Sequence, residues 1–236
     1  MNEQPVPRAS IVLPVYRQAD HIESAIAEFV AALDTLGTTW EMIVVVNGPR
    51  DGTDEACARA STACSRIRVM RPASGAGWGV AVREGIRASR GEIVCFANSA
   101  RTTAADLSTL VGLGLRNPDV VLKTTRKLRD SWRRRVGSVL YNLFCRARFD
   151  LSFWDINGTP KVFPRSFDAL LGLTRNDDLL DVEFMLICHR RRYLVLEVPV
   201  YSVSRRGGRS TTSLSSAFRM FYRAWAMGRQ ARWRDA

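Results

Sequence analysis

From residue 9 to residue 125 the chain alternates short apolar runs with segments whose apolar residues recur every three to four positions. That alternation is the pattern of parallel strands joined by crossover helices. It predicts strands at 9–15, 41–46, 67–70, 92–96 and 120–122, with helices over 21–36, 53–62, 80–88 and 105–115. Most of these strands are apolar nearly throughout, as in a sheet covered on both faces. Beyond Thr124 the chain is rich in Arg, Trp and Phe up to about Trp154. A strand around 161–163, a helix over 180–192, a strand over 193–200 and a last helix from about Leu214 follow. No internal repeat or linker rich in Pro and Ser separates the halves, so the second half is expected to complete the same α/β domain.

At 236 residues the chain can bury a substantial core. Its 46% hydrophobic and 25% charged residues exclude a disordered, collagen-like or low-complexity protein. The apolar run Met42 to Val46 is far short of the roughly 20 residues a membrane helix needs. Met1 to Ala9 contains no apolar leader, so secretion is not expected. Cys57, Cys64, Cys95, Cys145 and Cys188 are scattered without zinc or disulfide spacing and are expected to be reduced thiols in a cytoplasm.

The net charge of +12 asks for an anionic partner: phosphate, nucleotide, nucleic acid or membrane surface. Of the 35 basic residues, 3 are Lys and 32 are Arg. GC-rich coding also produces that bias, so the placement of charge says more than its amount. Arg133-Arg134-Arg135 opens an apolar-periodic helix, where the dipole disfavours cations by about 0.3 to 1 kcal/mol each. A bound anion would remove that conflict, with Ser138 one turn on as a hydroxyl donor; the alternative is a solvated face. Ser204 to Ser210 is a second cationic loop, with glycines that admit close backbone approach.

In an open parallel sheet, ligands bind beyond the carboxyl ends of the strands. Those ends here are Pro14-Val15-Tyr16, 47–52, 74–79 and Ala97-Asn98-Ser99. The glycines of 74–79 suit a phosphate at a helix start or simply a flexible turn. Asp177, Asp178, Asp181 and Glu183 crowd into seven residues; part of this cluster caps the following helix, and Asp181 and Glu183 cannot share one helical face. His21 and His189 are isolated and support neither a catalytic triad nor a two-His metal motif. In the last segment Leu214, Phe218, Phe221 and Trp225 recur at helical spacing with Arg219, Arg223, Arg229 and Arg232 mostly elsewhere. Such a helix either packs onto the domain or lies on an anionic membrane surface. No nucleic-acid module appears, and nucleic acid is not an expected partner.

Taken in order, these pieces resemble family 2 glycosyltransferases of the GT-A fold, most closely the dolichyl-phosphate mannose synthase-like branch. The resemblance runs from about Ala9 to Thr211. It is carried by Ile11-Val12-Leu13-Pro14-Val15-Tyr16, by Trp40 to Thr53 with its Asp51-Gly52-Thr53 turn, and by Gly77-Trp78-Gly79-Val80-Ala81-Val82-Arg83-Glu84-Gly85. Asp155 to Arg165, Asp181-Val182-Glu183, Glu197-Val198-Pro199-Val200 and Arg205-x-x-Gly208-x-Ser210 follow in the family's order.

The resemblance implies a single GT-A domain with a mostly parallel central sheet flanked by helices. About 9–125 would be its nucleotide-binding half and about 126–213 its acceptor half, with a basic amphipathic helix at about 214–236. It implies a nucleotide-sugar donor and a small-molecule or polyprenyl-phosphate acceptor, in the cytoplasm or at the inner membrane face. Pro14, Val15, Tyr16, Asn47, Arg83, Asn98 and Ser99 would border the nucleotide, and Arg126, Arg134, Ser138, Arg205 and Ser210 would hold phosphates. Asp181, with Asp155 behind it, would be the base for a hydroxyl or amine acceptor; a lipid phosphate arrives ionised and needs none.

Three stretches depart from the family pattern. Gly158-Thr159-Pro160 departs from the S-G-F centre of the segment 155–165. Val46-Asn47 replaces an acidic pair, and Ala97-Asn98-Ser99 replaces the D-x-D motif that holds a divalent cation. Neutral oxygens hold Mg²⁺ or Mn²⁺ poorly, so no tight metal site and no cofactor are expected, with Arg supplying the countercharge to the leaving diphosphate. The alternative is a repurposed GT-A-fold protein that keeps an anion site but catalyses another reaction or none.

Overall fold

The computed structural model describes residues 6–73, 75–126, 132–201 and 214–227, with the backbone alone for 132–135 and 214–218. β1 (Ala9–Val15), β2 (Trp40–Val46), β3 (Ile67–Met70), β4 (Ile93–Phe96), β5 (Val120–Arg126), β6 (Lys161–Pro164) and β7 (Leu194–Val200) form one sheet in the order β3-β2-β1-β4-β6-β5-β7. β6 alone runs antiparallel to its neighbours, so the carboxyl ends of the other strands share one edge.

The apolar continuity of β1 and β2 comes from two cores. Ile11, Leu13, Val15, Met42, Val44 and Val46 face one core, while Val12, Ile43 and Val45 face the other. The first is closed by α1 (Ile22–Asp34), α2 (Thr53–Ala63) and α4 (Ala104–Arg116). α3 (Trp78–Ala88), α5 (Trp132–Phe149), α6 (Asp168–Leu171), α7 (Leu180–Arg190) and α8 (Leu214–Met227) close the second. The alternation of strand side chains therefore separates the layers even though both strands are apolar apart from Ser10 and Glu41.

Three elements differ from the sequence pattern. β5 continues four residues past Leu122 because Lys123 to Arg126 pair in register with Glu197 to Val200 of β7, and pairing outweighs their polarity. α6 is a single short turn without a periodic signal. On α8 the packing face is Met220, Phe221, Ala224 and Met227, with Phe221 edge-on to Tyr141 at 5.4 Å and beside Phe144 at 5.5 Å. Trp225 is 43% exposed instead of packed, while the side chains of Leu214 and Phe218 lie outside the described residues. All five cysteines are free thiols.

Candidate active site

The ends of β2, β1 and β4 lie side by side. Asn47 N donates to Val15 O at 2.9 Å, and Ala97 N to Val12 O at 3.1 Å. Pro14, Val15, Tyr16, Asn47, Asn98 and Ser99 are thereby gathered on one edge, as expected from the sequence. Ser99 is fully buried, its hydroxyl donating to Gln18 Oε1 at 2.7 Å, while Gln18 N donates to Thr53 Oγ1 at 3.0 Å. Gln18, which no motif marked, thus ties the turns after β1 and β4 to the start of α2. Asn47 Nδ2 donates to Gly77 O at 3.2 Å and joins this edge to the start of α3.

The α3 terminus is pressed against the loop before α7. Gly77 has φ +143°, and a Cβ on Gly79 would stand 2.5 Å from Arg175 O, so neither position accepts a side chain in this backbone. The loop is held by Glu183, 2% exposed, which accepts from Thr174 N, Thr174 Oγ1 and Arg175 N. Arg83 turns toward the same loop: its Nε donates to Leu173 O at 2.8 Å, and its Nη1 donates to Asn176 Oδ1. Its guanidinium braces the loop that packs against the start of α3.

Asp181, 4% exposed, lies at the start of α7. Its Oδ1 pairs with Lys161 Nζ, and its Oδ2 accepts from Trp78 Nε1 at 3.1 Å. Nearby, Asp178 is held above the usual carboxylate range, by burial first and then by the charges of Asp181 and Asp177. Asp155 stands apart from this cluster, at φ +43° in the turn that precedes β6.

Beyond the ends of β5 and β7 opens a cavity of about 560 Å³. Thr125 and Arg126 line it from β5, Ser138, Val139 and Asn142 from α5, Trp154 and Asp155 from the intervening loop, and Glu197 and Pro199 from β7. Arg126 Nε and Nη2 each donate to an Asp155 oxygen at 2.7 Å. Asn142 fixes the loop by accepting from Ile156 N at 2.8 Å and donating to Ser138 O at 2.8 Å. Lys123, fully buried, donates to Glu197 Oε1 at 2.7 Å; burial pulls its pKa down while Glu197 opposes that shift. The same Glu197 oxygen accepts from Trp154 N at 3.0 Å, and Arg146 lies 4.0 Å over the Trp154 ring.

Of the phosphate candidates, Arg126 and Ser138 therefore line one cavity. Arg134 lies in the first turn of α5, but its side chain is outside the described residues, as are Arg205 and Ser210 altogether. Asp155 and Asp181, the base candidates, are both engaged in ion pairs. Sequence reasoning missed Trp78, Lys123, Trp154, Lys161 and Glu197; the signal available was that only 3 lysines stand among 35 basic residues.

The fold recurs among solved structures. The family model of glycosyl transferase family 2 matches residues 10–168. The chain belongs to that family. Undecaprenyl-phosphate 4-deoxy-4-formamido-L-arabinose transferase of Aeromonas hydrophila is 22% identical over 226 residues, 94% of this chain and 68% of that protein. The Salmonella paratyphi A enzyme of the same name is 22% identical over 231 residues, 92% of this chain and 66% of that one. The chain thus spans about two thirds of these curated relatives. Glucosyl-3-phosphoglycerate synthase from Mycobacterium tuberculosis, crystallised with Mn²⁺, UDP and phosphoglyceric acid, shares the fold at TM-score 0.74 and 19% identity, covering 94% of this chain and 78% of that one.

The expectation of no tight metal site and no cofactor is corrected by that neighbour, in which Mn²⁺ accompanies UDP. Asn98 Oδ1 is the only side-chain oxygen of 97–99 not buried, and it accepts from Ala100 N at 3.1 Å. Among the described residues no group of three or more His, Cys, Asp or Glu could hold a metal. No helix among them is long and apolar enough to cross a membrane.

Proposed function

We propose that the chain transfers a sugar from a nucleoside diphosphate donor to the phosphate of a polyprenyl lipid, working at the anionic inner face of a membrane. The observation that carries this reading is the two-sided character of α5. Ser138 and Asn142 enter the cavity with Arg126, while Val136, Leu140 and Leu143 are 48, 55 and 47% exposed along the outer stripe. Val139 belongs to both, lining the cavity at 45% exposure. A lipid phosphate with its head in the cavity and its chain along the stripe would satisfy both sides of one helix. Exposed Tyr222 and Trp225 of α8, with exposed Arg219 and Arg223, fit an interfacial aromatic and cationic face. The names of the Aeromonas and Salmonella relatives, undecaprenyl-phosphate transferases, support the same acceptor.

In this reading Pro14, Val15, Tyr16, Asn47 and Asn98 border the nucleotide, with Ser99 fixing their turn from beneath. Arg126 is held by Asp155 and offers its remaining edge to phosphate beside Ser138. Arg134, Arg205 and Ser210 add phosphate-binding groups. The acceptor phosphate is already ionised, so the reaction needs positioned positive charge more than a base. The test is transfer of label from a panel of tritiated nucleotide sugars, with Mn²⁺ present, into undecaprenyl phosphate held in phosphatidylglycerol vesicles. Label extracted with the lipid supports the reading. Label passing only to a soluble acceptor such as 3-phosphoglycerate, or to none, contradicts it.

A further inference from the structure

Two of the chain's three lysines are fully buried, an unusual fate for an ammonium group unless it is paired. Lys123 is answered by Glu197 and structures the cavity wall. Lys161 is its cross-strand neighbour on β6, on the same face of the sheet. Its Nζ lies 5.4 Å from the Phe96 ring centroid and 5.8 Å from that of Phe184, and it pairs with Asp181. Trp78 supplies the second donor to Asp181 from the first residue of α3. Because Asn47 bonds Gly77, this indole connects Asp181 to the edge where the nucleotide is proposed to lie.

Glu183, two residues away, shows what a carboxylate looks like when it only holds the fold together: the Thr174 and Arg175 donors saturate it. Among the described residues Asp181 takes two donors, one per oxygen, which leaves each oxygen acceptor capacity. The lysine and the indole fix the plane of the group and keep it an acceptor. Such a group fits a hydroxyl that donates to it.

We propose that Asp181 is the acceptor for a hydroxyl of the donor's sugar ring and selects sugars by it, and that Lys161 and Trp78 are its positioning residues. The assignment rests on the transferase reading above and gives Asp181 a specificity role in place of a proton-removing one. It is tested by titrating UDP, GDP and dTDP, each beside its glucose or mannose conjugate, into wild type, Asp181→Asn, Trp78→Phe and Lys161→Arg. Asp181→Asn and Trp78→Phe should weaken binding of the conjugate by about tenfold, the scale of one charge-assisted hydrogen bond. They should leave the bare nucleotide unchanged. Lys161→Arg, which keeps the charge, should recover most of the conjugate affinity lost in Lys161→Met.

An unaltered ratio of conjugate to bare nucleotide in folded Asp181→Asn overturns this assignment alone. Wild type that binds no nucleotide overturns the transferase reading beneath it. If Asp181→Asn instead abolishes turnover at unchanged KM and removes the acidic limb of the pH profile, Asp181 is a base and the specificity role fails. Should Asp181→Asn not fold, Trp78→Phe, which removes the N–H donor and keeps an aromatic ring, decides on the same ratio.

Discussion

Asp155 holds Arg126 with both carboxylate oxygens, each 2.7 Å from a guanidinium nitrogen. It does so from a left-handed backbone at φ +43°, in a turn closed by Gly158 N donating to Asp155 O at 2.6 Å. Planar bidentate pairing orients the fork as well as neutralising it. The acidic residue before β6 is therefore an orienting group for the cavity's arginine. Asp155→Asn should lower lipid-phosphate transfer about ten- to a hundredfold, the loss of one or two charge-assisted bonds. The affinity for bare nucleotide should stay within twofold by calorimetry, the threshold for calling the effect local to the cavity. Equal losses in both would place Arg126 at the donor instead.

The outer stripe of α5 is separable from folding. Leu140→Asp with Leu143→Asp changes two exposed positions, so each should alter stability by no more than about 0.5 kcal/mol. Sedimentation with phosphatidylglycerol vesicles should drop to background in the double variant. Undiminished vesicle binding would remove the membrane from the account.

The inner face of α8 should behave oppositely. Met227 is 1% exposed within the second core, so Met227→Ala should cost about 2 to 5 kcal/mol by chemical unfolding. Truncation after Ser213 should destabilise the fold as well as reduce vesicle binding. A truncated protein with unchanged stability would show that α8 is an appendage.

Glu41 gives the pH dependence. It is 4% exposed at the far end of the sheet and accepts from Ser10 Oγ, Arg90 N and Arg68. Burial works to raise its pKa, but these donors outweigh it and hold the group below its ordinary 4.5. A depressed folded pKa means that the stabilisation is present above pH 4.5 and lost as pH falls through the folded value. Glu41→Gln should be about 1 to 2 kcal/mol less stable than wild type at pH 7, discounted because Arg68 and Arg90 are half exposed. The gap should close in acid; a gap independent of pH would assign it to packing.

Arg134→Ala and Arg205→Ala test the phosphate reading at side chains outside the described residues. Each should weaken binding of nucleoside diphosphate by about 1.5 to 3 kcal/mol, again the scale of a charged hydrogen bond. Unchanged affinity in both, measured by calorimetry, would leave Arg126, Ser138 and Ser210 as the phosphate candidates.

The strands and most helices were legible because burial on both faces leaves continuous apolar runs, as in Ile11 to Val15 and Met42 to Val46. The end of β5 was not, since Lys123 is a strand residue only by virtue of Glu197, 74 residues away. The strand-end gathering of Tyr16, Asn47 and Asn98 was legible from order alone. Ion pairing was not: nothing local tells that Asp155 faces Arg126, or that Asp181 faces Lys161 and Trp78. Nor does a motif departure settle the use of metal. Replacing carboxylates by Ala97-Asn98-Ser99 argues about one set of oxygens, while the Mn²⁺ and UDP found together in the synthase show what this fold accommodates.

The most direct test is the mass of the lipid after reaction. Undecaprenyl phosphate in anionic vesicles, incubated with the protein, Mn²⁺ and the nucleotide sugars, should gain the mass of one glycosyl residue. Recovery of the lipid unchanged while the nucleotide sugar is consumed would contradict the account.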